Sequence, residues 1–244
     1  MTMDRHLPLS GTYNVRDVGG YRTRDGRVTR WRTLFRADSL HRLTPGAQSA
    51  LLAHGVRTVI DLRRSEELRA APNVFANSST VTYRHLSVYE DRQDVAGTPR
   101  PLTEIYQRIV DLRQEGIREI LRALAAPSAA PAVVHCTAGK DRTGVIIALA
   151  LGLVGVDTDT IAVDYALSAT YLVGSFLEDM RQYALTRGYT WEQYEPLLQS
   201  PASFMHDTMK YVDTNYGSIE AYVRHIGLSD AEITALRTAL VEES

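Results

Sequence analysis

The run Val145–Val156 is the longest strongly apolar stretch in the chain, and it constrains the fold more than any other feature. It belongs to a predicted helix, Thr143–Val154, that is apolar on nearly all sides, so it must lie inside the protein rather than on its surface. It is too short to span a bilayer and it contains glycines, which again favours a buried core helix. Such a helix needs neighbours all round it. Immediately upstream, Ala132–His135 reads as a short buried strand, separated from the helix by a tight polar loop. Strand, loop and buried helix in succession are the start of an α/β layer.

The rest of the chain agrees. Asp25-Gly26 is a turn signal between Val18–Tyr21 and Thr33–Arg36, which predicts a β-hairpin over 17–36. Thr44-Pro45 opens a helix that Gly55 closes. Val56–Asp61 and Val81–Val88 read as strands. Ser65 is a cap candidate for a short helix through Arg69, with Glu66 and Glu67 well placed in its first turn. Residues 89–100 have loop composition. From Pro101 to Leu124 the apolar residues fall at helix spacing, with Gly116 weakening the middle. Further helices are predicted at about 158–168, 170–187, 203–215, 218–226 and 230–241, the last two capped by Ser218 and Ser229. Strands mixed with helices, then a helical run, predict an α/β fold with a central sheet between helices.

Composition narrows the function. A net charge of -2 with 23% charged residues points away from a nucleic-acid binder and from a disordered acidic chain. The charge is uneven: residues 1–64 hold 12 Arg against 5 Asp, and the remainder is acidic. Such a basic third attracts a phosphorylated substrate, or is simply an unevenly charged solvated surface. One cysteine excludes an intrachain disulfide framework and a four-cysteine zinc site. The seven histidines are scattered, with no metal-ligand cluster. The first residues lack an apolar core segment, so no secretory signal is expected. The expectation is a cytoplasmic protein without a stable membrane anchor, and export without a visible signal stays compatible with it. Nothing in the sequence specifies an oligomeric state.

The single cysteine, Cys136, opens the loop between the buried strand and the buried helix. The helix start near Thr143 points backbone N–H groups and the positive dipole end into that loop. Ala138 and Gly139 allow tight winding, so successive N–H groups, Thr137 and Thr143 included, can converge on one anion. Arg142 forks onto two phosphate oxygens and Lys140 adds a point charge. The same field favours the thiolate of Cys136, the form that attacks. A nucleophile and a phosphate cradle in one loop suit covalent phosphoryl transfer through a cysteinyl-phosphate. A structural buried cysteine is the bland alternative, and the flanking cations argue against it. A nucleotide P-loop is excluded: Val134 and Asp141 stand where its first glycine and its Ser or Thr should be.

His135-Cys136, followed after five residues by Arg142-Thr143, resembles the HCx5R[ST] signature of cysteine-dependent tyrosine and dual-specificity phosphatases. The fuller His135–Gly144 stretch, HCTAGKDRTG, resembles an atypical bacterial branch of that family. Asn14–Gly20 resembles the branch's N-x-R-D-x-G-G pattern. Leu34-Phe35-Arg36 with Leu40 resembles its LFRSxxL element, with Ala37 in place of serine. Tyr216-Gly217-Ser218 with Tyr222 resembles its YGSxxxY segment. Together these cover nearly the whole chain, which reads as a single phosphatase domain, 1–244. The resemblance implies a central mixed sheet flanked by helices, and hydrolysis of phosphotyrosine. It leaves room for phosphoserine, phosphothreonine or phosphoinositides, the last suggested by Lys140 within the loop. It implies no metal or organic cofactor, and an orienting role for His135.

The proton donor is left open. Neither Trp31 nor Trp191 is followed by Pro-Asp, so the WPD acid loop of familiar tyrosine phosphatases is missing. Asp141, inside the loop, and Asp61, ending a strand in Asp61-Leu62-Arg63, are the two candidates. Each has a structural alternative, as a loop salt bridge and as a strand-end pair with Arg63 or Arg64. Arg16 and Asp17 either support the phosphate loop or are turn residues. The aromatic-rich stretch between Tyr165 and Tyr194 reads as a helical lid over the site, within about 165–215, or as ordinary core. A phosphoinositide phosphatase using the same loop and a non-catalytic phosphate-binding module are the rival functions. A rhodanese-like sulfurtransferase fits His135, Arg142 and Thr143 less well.

Overall fold

The computed structural model describes residues 4–89 and 100–242. Its sheet is built from β1 (Arg16–Asp17), β2 (Leu34–Ala37), β3 (Thr58–Asp61), β4 (Thr82–His85) and β5 (Ala132–His135), side by side in the order β1-β2-β5-β3-β4. Strands β2, β5, β3 and β4 are parallel, and β1 is antiparallel to β2. The hairpin turn falls at Asp25-Gly26 as the sequence predicts, with Thr23 N–H on the Arg27 carbonyl at 3.0 Å. Its regular ladder is only the pair β1–β2.

Register explains the core. Phe35, Val133 and Val59 share one row, and Leu34 or Arg36, Val134 and Ile60 fall on the opposite pleat. The first face packs under α1 (Pro45–Ala53) with Leu51, Val56 and Phe75. The second face carries α5 (Asp141–Leu153), the apolar helix of the sequence. It is surrounded by α3 (Leu102–Leu112), α4 (Gln114–Ala125), α6 (Thr158–Tyr171), α9 (Ala202–Tyr216), α10 (Ile219–His225) and α11 (Asp230–Leu240). That encirclement is why no polar stripe is tolerated on it.

Several boundaries differ from the sequence reading. The predicted 101–124 helix is two helices, broken at Arg113 (φ -119°, ψ 28°) and not at Gly116. Gly116 sits in the first turn of α4, where a Cβ would lie 3.2 Å from the carbonyls of Ser87 and Val88. It is there for close approach. Ser65 opens α2 (Ser65–Ala70) instead of capping it; Arg64 holds the cap position, its N–H on Glu67 Oε2 at 2.8 Å. A short helix α8 (Trp191–Tyr194), capped by Thr190, has no periodicity long enough to read from sequence. The stretch predicted as loop at 89–100 lies, apart from its ends, outside the described residues. Among the described residues no single helix is long and apolar enough to cross a membrane.

The expected lid segment, 165–215, divides in two. Tyr165 of α6 and Met205, Met209 and Val212 of α9 are buried in the core. Between them, α7 (Ser175–Thr186) and α8 are largely exposed on the outside and face the site on the inside.

Candidate active site

The three central strands end in one row, Ala37, His135 and Asp61. Cys136 follows directly, at the carboxyl edge of the middle strand, where open α/β sheets place their ligands. The next residues wind into the start of α5. Gly139 takes φ +65°, and a Cβ there would lie 2.3 Å from the Ala37 carbonyl, so no other residue fits.

Three successive loop carbonyls are held from behind. Thr137 O accepts from Ser39 N at 2.9 Å, Ala138 O from Asn14 Nδ2 at 2.9 Å, and Gly139 O from Arg36 Nη2 at 2.7 Å. Across a trans peptide the following N–H points the opposite way. The N–H groups of Ala138, Gly139 and Lys140 therefore turn away from that scaffold, and none has an acceptor among the described residues. Outward-facing N–H groups of this kind are what an anion nest requires.

The scaffold itself is a buried ion cluster. Asp164 of α6 accepts from Arg16 Nε at 3.3 Å, Arg36 Nη1 at 2.6 Å and the Tyr21 hydroxyl at 2.9 Å. Arg16 also bonds the Asn14 side-chain oxygen, the same Asn14 that holds Ala138. Burial opposes the charge on Asp164, yet the two guanidinium groups pull its carboxyl down to about 2. Arg16 is thus tied to the loop through Asn14. The Asp17 carboxylate instead caps the following turn, accepting Gly19 N and Arg32 N, both at 2.8 Å. Asp164 and Asn14 carry no motif signal by themselves beyond Asn14's place in the N-terminal pattern.

Arg142, in the first turn of α5, is aimed by a residue the sequence offered only as a helix-start charge. Glu67 takes Arg142 Nη1 at 2.7 Å and Nη2 at 2.9 Å, a fork-to-fork pair. Nη2 also reaches Thr137 Oγ1 at 3.0 Å, and that hydroxyl donates to Glu67. Arg142 Nε lies outside these bonds. Burial works against the Arg142 charge, but Cys136, Glu67 and Tyr89 beside it hold the guanidinium well above its usual range. Burial alone would raise Glu67; Arg142 and Thr137 hold it well below the usual carboxylate range instead.

His135 and Asp61 sit beneath the loop. His135 Nδ1 lies 3.1 Å from the Cys136 carbonyl, so that nitrogen is the donor, and Nε2 meets Asn73 Nδ2 at 2.8 Å and Asp61 Oδ2 at 3.3 Å. Asp61 is fully buried and forked by Arg63, with Asn73 and the Tyr83 hydroxyl on the same carboxylate. Against the cost of burial, His135 and Arg63 hold it well below the carboxylate range. Asp61 does not line the cleft, and with Arg63, Asn73 and Tyr83 on its carboxylate it has no free oxygen for a leaving group.

Over the loop lies a cleft of 420 Å³. Cys136, Thr137, Ala138, Lys140, Asp141 and Arg142 form its floor, while Gly139 and the fully buried Thr143 do not face it. Its walls are apolar: Leu102, Ile105 and Ile109 on one side, Leu172, Phe176, Met180 and Leu197 on the other. Lys140 does not aim at the loop centre. Its Nζ donates to Leu197 O at 2.6 Å and Gln199 O at 3.0 Å, and lies 3.3 Å from Asp141. Two rim pairs add to that contact, Arg42 with Asp179 at 2.7 Å and Arg187 with Glu66 at 3.4 Å. Asp141 is on the floor beside Arg142, its side chain 32% exposed. No group of three or more His, Cys, Asp or Glu among the described residues is arranged to hold a metal ion.

Known proteins match this chain along nearly its full length. A profile described as a tyrosine phosphatase family matches residues 7–242. A tyrosine-protein phosphatase of Nostoc commune is 30% identical over 214 residues, 84% of this chain and 73% of that protein. The triple specificity protein phosphatase PtpB of Mycobacterium tuberculosis is 28% identical over 285 residues, 97% of this chain and 99% of that protein. A putative tyrosine-protein phosphatase of Cupriavidus necator is 29% identical over 237 residues, 90% of this chain and 84% of that protein.

Proposed function

The chain belongs to the tyrosine phosphatase family, and on that footing we propose that it hydrolyses phosphotyrosine in proteins through a cysteinyl-phosphate on Cys136. The observation that carries the reading is the juxtaposition on one floor of Cys136, the outward-facing loop N–H groups, Arg142 and Asp141. In the first step the Cys136 thiolate attacks phosphorus and the ester P–O bond breaks. The leaving phenolate takes a proton from Asp141. In the second step the Asp141 carboxylate takes a proton from water, whose oxygen attacks phosphorus. The P–S bond breaks, inorganic phosphate leaves and the thiolate is restored. The loop N–H groups and the outer edge of Arg142 neutralise the three non-bridging oxygens throughout. Glu67 holds Arg142 in that orientation, and Thr137 completes the pair.

Asp141 is the acid in this reading. It shares the floor with Cys136, whereas Asp61 is saturated by Arg63, Asn73 and Tyr83. Lys140 enters as a contact to the 197–199 backbone. A phosphoinositide head-group role would require it to leave Leu197 and Gln199, so phosphotyrosine is the first substrate and phosphoinositides the second. The apolar walls are what favours keeping that second reading. We read 1–244 as one phosphatase domain, with α7 and α8 as its lid, a narrower segment than 165–215. The triple specificity for which the mycobacterial relative is named makes phosphoserine and phosphothreonine further candidates.

The test is phosphate release from matched phosphotyrosine, phosphoserine and phosphothreonine peptides and from short-chain phosphoinositides, with Cys136→Ser as control. Fast, Cys136-dependent release from phosphotyrosine peptides is expected. Faster release from phosphoinositides would reverse the order of substrates. No Cys136-dependent release from any of them would leave a phosphate-binding module and overturn the catalytic reading.

A further inference from the structure

Asp141 receives both of its protein donors on one oxygen. The Tyr106 hydroxyl donates to Oδ1, and Lys140 Nζ lies 3.3 Å from the same Oδ1. Oδ2 has no partner among the described residues. Behind Tyr106 stands Tyr165, the two phenol oxygens 2.7 Å apart. Tyr106 has one O–H and it is committed to the carboxylate, so the bond between the phenols must run from Tyr165 to Tyr106. The rings meet edge to face at 6.0 Å and are exposed by only 0% and 1%. They stand on α3 and α6, which both pack on α5, so core packing sets their position. Burial first, and the Asp141 charge second, push both phenols far above their ordinary range, so they stay protonated donors.

We propose that Tyr106, backed by Tyr165, is a positioning residue that decides which oxygen of Asp141 carries the transferable proton. The inference rests on Asp141 being the acid. A permanent donor makes Oδ1 an acceptor in both states of the carboxyl. The proton of the neutral acid is then confined to Oδ2, the oxygen without a partner among the described residues. It passes from Oδ2 to the leaving oxygen as the P–O bond breaks, and Oδ2 takes one back from water in the second step. Tyr106 neither gains nor loses a proton.

Tyr106→Phe removes the hydroxyl and keeps the ring. Two things should follow in the full-length protein. The proton divides between two oxygens, and the carboxylate loses a donor, so the neutral acid persists to higher pH. We expect kcat on phenyl phosphate, a poor leaving group, to fall about tenfold, with little change on 4-nitrophenyl phosphate. The descending limb of the pH–rate profile should move upward by roughly half a unit or more. Tyr165→Phe, one bond further back, should move the limb the same way by less, and it decides the matter if Tyr106→Phe does not fold. In an Asp141→Asn background Tyr106→Phe should have no further effect on the leaving-group ratio. Equal losses on both substrates with an unmoved limb would make Tyr106 a packing residue and overturn the inference. If Asp141→Asn itself shows no leaving-group dependence, the acid assignment fails first, a distinguishable result, and the inference falls with it.

Discussion

Asp164→Asn replaces the carboxylate shared by two buried guanidinium groups with a neutral side chain of the same size. Arg16 and Arg36 are 0% and 1% exposed, and neither can move to water without dismantling the sheet edge. Two routes give the magnitude. The Asp164 carboxyl is held at about 2 in the fold, against about 3.9 unfolded, so its charge contributes about 2–3 kcal/mol at neutral pH. Removing one partner of a buried ion pair typically costs about 3–5 kcal/mol. Asparagine keeps one acceptor but turns an N–H₂ toward a donor, which places the expected loss near 3 kcal/mol, a large share of a typical domain's stability. Urea unfolding at pH 7 reads it as a lower midpoint with unchanged slope. The sign with pH is also set. A depressed carboxyl contributes stability above its unfolded value and loses it as pH falls toward about 2. The gap between wild type and variant should therefore narrow below about pH 4. Because Arg36 holds Gly139 O and Arg16 holds Asn14, the folded variant should also bind phosphate more weakly. A loss under about 1 kcal/mol at pH 7, or a gap that does not narrow in acid, would refute the reasoning.

Three more outcomes are expected. Glu67→Gln breaks the fork on Arg142, so kcat/KM should fall about tenfold or more, while Glu67's contribution to stability should begin to decline as pH drops below about 4.3 and be lost only well below that; unchanged phosphate affinity would count against Glu67 as the aiming residue. Asp38 behaves oppositely: burial raises it to about 6 despite the donors Tyr13 N and Asn14 N, so its charged form weakens the fold as pH rises from about 4 through 6, by about 3 kcal/mol. Asp38→Asn should flatten that slope in unfolding midpoints taken from pH 4.5 to 8, and an unchanged slope would refute it. Mild peroxide should add oxygen to Cys136, or close it to a backbone sulfenamide, without any intrachain disulfide, since the chain holds a single cysteine; intact-mass analysis reads this directly.

Local signals in the sequence translated well where a residue's job is set by its neighbours in the chain. Ala132–His135 is a strand with the bounds read for it, because three apolar residues and a histidine before a tight loop leave little else. Ser218 and Ser229 cap their helices, accepting Ala221 N and Glu232 N, because capping is an interaction within three residues. The break at Arg113 was missed because the reason for Gly116 is not local: it lies in the backbone of residues 87–88. The place of Lys140 in the loop predicts a phosphate contact, whereas its direction is decided by carbonyls 57 and 59 residues away.

The sequence by itself determined the chemistry-bearing loop and the helix behind it. A nucleophile, two glycines, an arginine and an all-apolar helix within twenty residues admit few arrangements, and each of those constraints acts over one or two turns of chain. The tertiary structure decided which of the remaining charges serve that loop. Glu67 reaches Arg142 across 75 residues and Asp164 reaches Arg36 across 128. The proposed preference for Asp141 over Asp61 rests on information of the same kind, since strand register pairs Asp61 with His135 while Asp141 lines the cleft. Such pairings depend on sheet order and helix packing, and a carboxylate's role follows from which cation and which dielectric the fold brings to it, not from the residues on either side.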